Sequence, residues 1–341
     1  MLIANIISTL GGDKSMEKLY CGIDIHKEKL AGCIMDKDGK ITREHTFPSS
    51  KDAIERFLCR IPNSDITIAV ETCGMWRGVS KILTEMGYEV KLANPKKTHD
   101  IAGNKKMDKI DAKTLADLLR TNYLPLVWIP DEETLEFRDI TRHKSNLTRL
   151  KVQIQGKIKG YLLRNGMKYS KQLWNEKSLS KLSEKDPNIK NLINVYWSLK
   201  NEEKETLRRI RIIASKIKET NILMSMIGVA EFSSLMIIGE IGDIKRFETP
   251  KELVSYAGLC PGIYQTGSTK RNVRNNTVNK WLKWIIYESS GRAVMLDPRF
   301  REYYYRIKQR NGENVARRAC ARKMLTIIWY MLTNEEPYRA S

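Results

Sequence analysis

No stretch of the 341 residues approaches the roughly 18 consecutive apolar residues that a bilayer crossing requires, so no membrane span is expected. Cysteine is sparse and unpatterned. Cys21, Cys33, Cys59, Cys73, Cys260 and Cys320 form no Cys-x-x-Cys pair, which excludes a zinc ribbon or disulfide framework and predicts reduced thiols in a cytosolic protein. Histidine is scarcer still, with four residues; His26 and His99 stand near acidic segments, and each alone reads as structural. The apolar start Met1 to Leu10 lacks the basic residues of a secretory signal, so residues 1–17 read as a tail, with Met16 an alternative start.

Positive charge is what the chain has in excess. Lys and Arg number 60 against 40 Asp and Glu, a formal charge of +20. Such a surface gathers polyanions, and with no basic amphipathic anchor in the sequence, nucleic acid leads over a membrane surface. An apolar share of 41% is enough for a core and excludes global disorder, while the length suits two domains and a connector at roughly 100–200 residues per domain.

The first part, 18–130, alternates short β-rich runs with helical ones. Tyr20–Asp24, Leu30–Met35 and Ile41–Phe47 read as hairpin-connected strands, with Asp36-Lys37-Asp38-Gly39 as turn chemistry. A helix near Asp52–Arg60, a strand Ile66–Val70, a helix from Arg77 to Met86 and a strand Glu89–Ala93 follow. The pattern predicts a mixed sheet with helices on its faces.

Residues 131–220 change character. Leu147, Leu150, Ile154, Ile158 and Tyr161, then Leu207, Ile210, Ala214 and Ile217, recur at three- and four-residue spacings, the mark of two long antiparallel helices in a coiled-coil-like connector. Residues 141–220 hold 20 Lys and Arg against 7 Asp and Glu. Solvated faces usually mix signs, so nucleic-acid contact is favoured over a neutral spacer. The remainder, 221–341, reads as mainly helical. It has a polar loop at Pro261–Asn276, a helix with Trp281 and Trp284 that reads as core, and a last helix near Val315–Leu332 carrying Arg317, Arg318, Arg322 and Lys323.

Four acids could carry chemistry. Asp24 lies inside an apolar strand, where an unpaired carboxylate costs several kcal/mol to desolvate. Glu71 closes the run Ile66–Val70, and open α/β sheets bind ligands at strand carboxyl ends. Asp108 and Asp111 sit three apart on one helix face, although alone they also fit favourable helix N-terminal charges. Together the four form a hard oxygen set suited to Mg²⁺ or Mn²⁺, and two such ions about 3.5–4 Å apart can stabilise both oxygens of phosphodiester cleavage. The segment Leu223–Phe247, with Gly228, Lys245 and Arg246, is similar to a helix-hairpin-helix, whose turn amides can hold phosphate; plain packing explains it equally well.

Gly22-Ile23-Asp24-Ile25-His26-Lys27, Val70-Glu71-Thr72 and Met107-Asp108-Lys109-Ile110-Asp111-Ala112 resemble the Asp-Glu-Asp-Asp tetrad of insertion-sequence transposases of family one hundred and ten. Ile227-Gly228, Gly239-Glu240-Ile241-Gly242-Asp243-Ile244-Lys245-Arg246-Phe247 and Tyr256-Ala257-Gly258-Leu259-Cys260-Pro261 resemble that family's C-terminal domain. The resemblance implies an α/β plus α fold: an RNase H-like (RuvC-like) domain at 18–130, a helical coiled-coil connector at 131–220 and a mainly helical transposase domain at 221–341. It further implies a DNA recombinase that moves an insertion sequence, guided by a structured RNA that pairs with donor and target DNA. Such an enzyme would be a homo-oligomer, dimer or tetramer, cytoplasmic and nucleoid-associated. The tetrad carries over to Asp24, Glu71, Asp108 and Asp111.

Where the family has a nucleophilic Ser before Gly, this chain has Thr266 before Gly267, with Ser268 next; apart from the resemblance, Thr266 reads as an ordinary turn hydroxyl. Lys245, Arg246, Lys270, Arg271, Arg274, Arg317 and Arg318 are the nucleic-acid contacts expected. Two other readings stay open: a metal-dependent junction nuclease without a covalent intermediate, and a catalytically impaired copy that still binds nucleic acid.

Overall fold

The computed structural model describes residues 18–102, 108–260, 262–266, 269–273 and 278–339. The expected tail 1–17, with Met16, lies outside them. The chain divides after Ile129 into two compact units, and no helix among the described residues is long and apolar enough to cross a membrane.

The first unit is built on β1 (Leu19–Ile25), β2 (Lys29–Met35) and β3 (Ile41–Pro48), then α1 (Lys51–Leu58), β4 (Ile66–Glu71), α2 (Trp76–Glu85), β5 (Glu89–Ala93), α3 (Pro95–Ala102), α4 (Asp108–Arg120) and β6 (Leu126–Val127). The six strands form one sheet in the order β3-β2-β1-β4-β5-β6. β1, β2 and β3 pair antiparallel through tight connections. β4 joins β1, and β5 joins β4, in parallel, as their helical crossovers require.

Alternation gives the sheet two different faces. Cys21, Ile23, Ile25, Ile68 and Val70 point to α1 and α2, where Ile54, Phe57, Leu58, Val79 and Leu83 complete an apolar core. The other face is lined by small residues, Gly22, Ala31, Cys33, Ala69 and Ala93, and receives Ala112, Leu115 and Ala116 of α4. Gly22 is the point of closest approach, since a Cβ there would overlap the Ala112 carbonyl and stand 2.6 Å from the Ala116 nitrogen. Gly22→Val should therefore destabilise this unit by about 3 kcal/mol, the upper range for overpacking. Urea unfolding measures it, and an unchanged midpoint would contradict the α4 packing. Burial pushes the thiols of Cys33 and Cys320 up to about 11 and raises that of Cys21 further, so all three stay protonated at neutral pH.

The second unit opens with α5 (Glu132–Arg164), followed by α6 (Glu176–Ser183) and α7 (Pro187–Lys216). Asp131 caps α5 through the Thr134 amide at 2.7 Å, and Asp186 caps α7 with Pro187 in its first turn. α5 and α7 run antiparallel for about 45 Å. Phe137 and Ile140 meet Ile210 and Ala214 at one end, and Ile158 and Leu162 meet Ile189 and Ile193 at the other.

Between these apolar ends the seam is ionic. Glu203 of α7 accepts from Thr148 and Lys151 of α5, with Lys144 3.5 Å away. Burial would raise the Glu203 carboxyl, but those hydrogen bonds outweigh it and hold it low. Leu150, expected in an apolar seam, is accordingly 42% exposed.

Then come α8 (Lys218–Met224), α9 (Glu231–Ile241), α10 (Pro250–Tyr256), β7 (Gly262–Thr266), β8 (Thr269–Val273), α11 (Lys280–Leu296), α12 (Pro298–Asn311) and α13 (Glu313–Thr333). Met236, Ile237, Leu253, Leu282, Ile286, Phe300, Met324 and Ile328 centre their core. The segment Pro261–Asn276, expected as a loop, contains an antiparallel hairpin with Thr266 opposite Thr269. Trp281 packs against the core, whereas Trp284 is 40% exposed.

Candidate active site

Asp24 sits one residue beyond Ile23 on β1, and Glu71 one residue beyond Val70 on β4. Ile23 and Val70 are paired in parallel register, so the two acids stand side by side at the carboxyl ends of adjacent central strands. Both share a face with Gly22 and Ala69, the face that α4 covers. Asp24 is 7% exposed and Glu71 half-buried.

The direction of α4 follows from its contacts. Its end, Leu119 and Arg120, lines a cavity with Lys18, Tyr20, Thr67 and Glu89, at the amino ends of β1, β4 and β5. Its middle, Ala112 to Ala116, lies over Gly22. The first turn, which begins at Asp108 and includes the half-buried Asp111, therefore lies toward the strand ends that carry Asp24 and Glu71.

Their carboxylate oxygens suit a hard divalent cation. Among the described residues, however, no three His, Cys, Asp or Glu side chains form a group that could hold a metal ion, and the Asp108 side chain lies outside them. His26, read from sequence as structural, has its Nε2 2.9 Å from Asp24 Oδ2. Its spacing two residues after Asp24 was the available signal.

In the second unit Thr266 ends β7, while Lys270 and Arg271 lie on β8 opposite Gln265 and Tyr264. Ser268 and Arg274 lie outside the described residues. Lys245 is exposed, but Arg246 is half-buried, donates to the Ile241 carbonyl at 3.0 Å and stacks on Tyr256 at 4.5 Å. Arg317 and Arg318 are exposed on the first turns of α13, with Arg317 2.7 Å from Glu313. Gly228, with φ of 94°, lets the turn after α8 approach α11; a Cβ there would stand 2.5 Å from the Ser289 carbonyl. That glycine serves packing.

Comparison with known proteins adds the class. The family model DEDD_Tnp_IS110, described as Transposase, matches residues 21–165, and the model of the Transposase IS116/IS110/IS902 family matches residues 220–305. The transposase for insertion sequence element IS1111A of Coxiella burnetii is 21% identical over 356 residues, covering 93% of this chain and 90% of that protein. The transposase for insertion sequence element IS1328 of Yersinia enterocolitica is 20% identical, with 92% and 96% covered. The pilin gene-inverting protein of Moraxella lacunata is 23% identical over 345 residues, with 95% and 98% covered.

An acid-bearing mixed sheet followed by a basic helical unit is thus the frame of a transposase, an enzyme class that acts on DNA. Within that class the chain belongs to the IS110 family.

Proposed function

We propose that this protein is a recombinase that cuts and rejoins DNA to move an insertion sequence, using a carboxylate-held divalent cation and a hydroxyl nucleophile. The observation that carries the reading is the placement of Asp24 and Glu71 side by side on one sheet face, with the first turn of α4 directed to the same end. The strand order β3-β2-β1-β4-β5, with β2 antiparallel to its neighbours, supports an RNase H-like arrangement of the first unit.

Asp24, Glu71, Asp108 and Asp111 are the residues that would hold Mg²⁺ or Mn²⁺. Such an ion supplies positive charge to the oxygens that become anionic as a phosphodiester breaks. The Thr266 hydroxyl, or that of Ser268, attacks phosphorus. A new O–P bond forms while the DNA oxygen leaves and takes up a proton, and attack by a second DNA hydroxyl reverses the exchange and frees the side chain. The number of phosphodiester bonds is conserved, so rejoining needs no separate energy source. Gene inversion, which the Moraxella relative's name gives it, is an outcome that cut-and-rejoin chemistry of this kind could produce.

The basic helices α5 and α7, with Lys245, Lys270, Arg271, Arg317 and Arg318, supply the charge for DNA and a structured guide RNA. A homo-oligomer, dimer or tetramer, would bring two DNA partners together at the nucleoid.

Binding tests this reading. The logarithm of the affinity for the structured RNA encoded beside the gene should fall linearly with log salt, and binding should survive competition by unrelated structured RNA. Equal displacement by unrelated RNA would leave only non-specific polyanion binding and would remove the guide from the function.

A further inference from the structure

Apart from Lys245, a nucleic-acid contact in the reading above, the sequence blocks Gly239–Phe247 and Tyr256–Pro261 carry no group that the proposed chemistry uses, yet they meet in one buried polar cluster. Glu240, in the last turn of α9, is fully buried. Its carboxylate accepts a fork of hydrogen bonds from Arg142 of α5, Nε to Oε1 at 2.7 Å and Nη2 to Oε2 at 2.8 Å. A third comes from Asn279 Nδ2, also at 2.8 Å. The same Nδ2 lies 3.0 Å from the Tyr256 hydroxyl, which in turn donates to the Glu240 carbonyl at 3.4 Å. One turn before Arg142, Arg138 donates Nε to the Gly239 carbonyl at 2.6 Å. Gly239 makes that crossing possible, because a Cβ there would stand 2.9 Å from the Phe137 Cβ.

The cluster grips both ends of one excursion of the chain. Where the chain returns, the Asn279 amide donates to the Tyr256 carbonyl at 2.8 Å, and its Oδ1 caps α11 through the Leu282 amide at 2.9 Å. Gly258, with φ of 66°, lies under Val278, whose Cγ1 would be 2.7 Å from a Cβ. Where the chain leaves, the Leu259 carbonyl accepts from Arg322 of α13 at 3.2 and 2.9 Å. Between these anchors lies the hairpin β7–β8.

A buried ion pair is a poor choice for stability alone, since well-packed apolar replacements are often as good or better. It does fix direction and distance closely. We propose that Glu240, Arg142, Tyr256 and Asn279 are positioning residues, a clamp at the base of the β7–β8 hairpin that sets where its hydroxyls stand. This rests on the hydroxyl-nucleophile reading above. A nucleophile must sit about 3–3.5 Å from the reacting atom, and a misplacement of about 1 Å costs on the order of a hundredfold in rate. On this account the two blocks meet because one supplies the acid and the other the tyrosine of a single clamp.

Two mild substitutions test the clamp in the full-length protein. Tyr256→Phe removes one hydroxyl and keeps the ring beside Phe247, 5.3 Å away between centroids. Asn279→Ser keeps an oxygen that can cap α11 but loses the amide that reaches Glu240 and Tyr256. Each should lower the rate of covalent adduct formation at saturating DNA by about ten- to a hundredfold. DNA affinity and thermal midpoint should stay near wild type, and amide exchange across β7 and β8 should accelerate.

An unchanged adduct rate, or one that falls only in step with affinity and stability, would overturn the proposal. If wild-type protein forms no adduct, the nucleophile reading fails separately. Hydrogen exchange then decides the clamp alone: faster exchange of the hairpin in Asn279→Ser supports it, and unchanged exchange overturns it.

Discussion

Asp24→Asn is expected to abolish DNA strand cleavage while leaving the fold intact. The side chains are isosteric, and the position is next to last in a strand that six register pairs with β2 and five with β4 hold in place. What changes is charge: a carboxylate oxygen that would bind a hard cation becomes an amide. Cation stabilisation of a phosphoryl transition state is worth several kcal/mol, and about 4 kcal/mol corresponds to roughly a thousandfold in rate.

A second readout needs no turnover. A ligand that binds only the folded state raises the unfolding temperature by an amount that grows with the logarithm of its concentration over its Kd, so Mg²⁺ should raise the thermal midpoint of wild type and do so far less in Asp24→Asn and Asp111→Asn. Asp117→Asn is the control, because Asp117 is exposed and paired with Arg120 in the last turns of α4, away from the strand ends. Wild-type cleavage rates in Asp24→Asn, or an identical Mg²⁺ response in all four proteins, would sink the carboxylate assignment.

Local chemistry made part of this molecule legible in its sequence. Strands β1, β2 and β4 are apolar runs bounded by turn residues, and they stand within a few residues of where the pattern puts them. Gly22 in such a run signals a close backbone approach. Its partner could not be read, because the approaching helix comes some ninety residues later and small residues leave no periodic mark. The apolar stripe through Leu147 and Ile158 gave two long helices correctly, but counting apolar positions misplaced Leu150. The acid that makes the middle of the seam polar, Glu203, lies on the other helix, and only tertiary contact sets it against Lys151.

Hairpin β7–β8 was hidden differently. Gly267-Ser268 between two short runs is a two-residue hairpin spacing, yet the polar and basic content of those runs reads as loop. For the acids, Asp24 and Glu71 were visible as strand-end carboxylates. Their common face depends on the parallel pairing of β1 with β4, which needs the whole crossover. The Arg142–Glu240 fork was illegible, since nothing local marks one arginine in a basic helix as the partner of an acid 98 residues on.

Thr266→Val should remove covalent attachment to DNA, and Thr266→Ser should increase it. The first replaces the hydroxyl by a methyl of similar size, so side-chain volume and β-propensity at the end of β7 are conserved while the nucleophile is lost. The second removes the methyl that restricts χ1, so the hydroxyl can rotate into line with the leaving oxygen. The measurement is a denaturing gel of protein bound to suicide DNA with the matched guide, and peptide mapping places the adduct. If Ser268 is the attacking residue, Thr266→Val keeps the adduct, Ser268→Ala loses it, and the mapped peptide carries the phosphate on Ser268. Cleavage that persists without an adduct in both variants would instead mean that water is the nucleophile. The protein would then be a metal-dependent nuclease, and Asp24→Asn should still abolish its cleavage because the cation is common to both chemistries. Loss of DNA binding together with the adduct would count against the assignment, since a hydroxyl-to-methyl change in one strand removes no positive charge and leaves the phosphate contacts of the basic helices untouched.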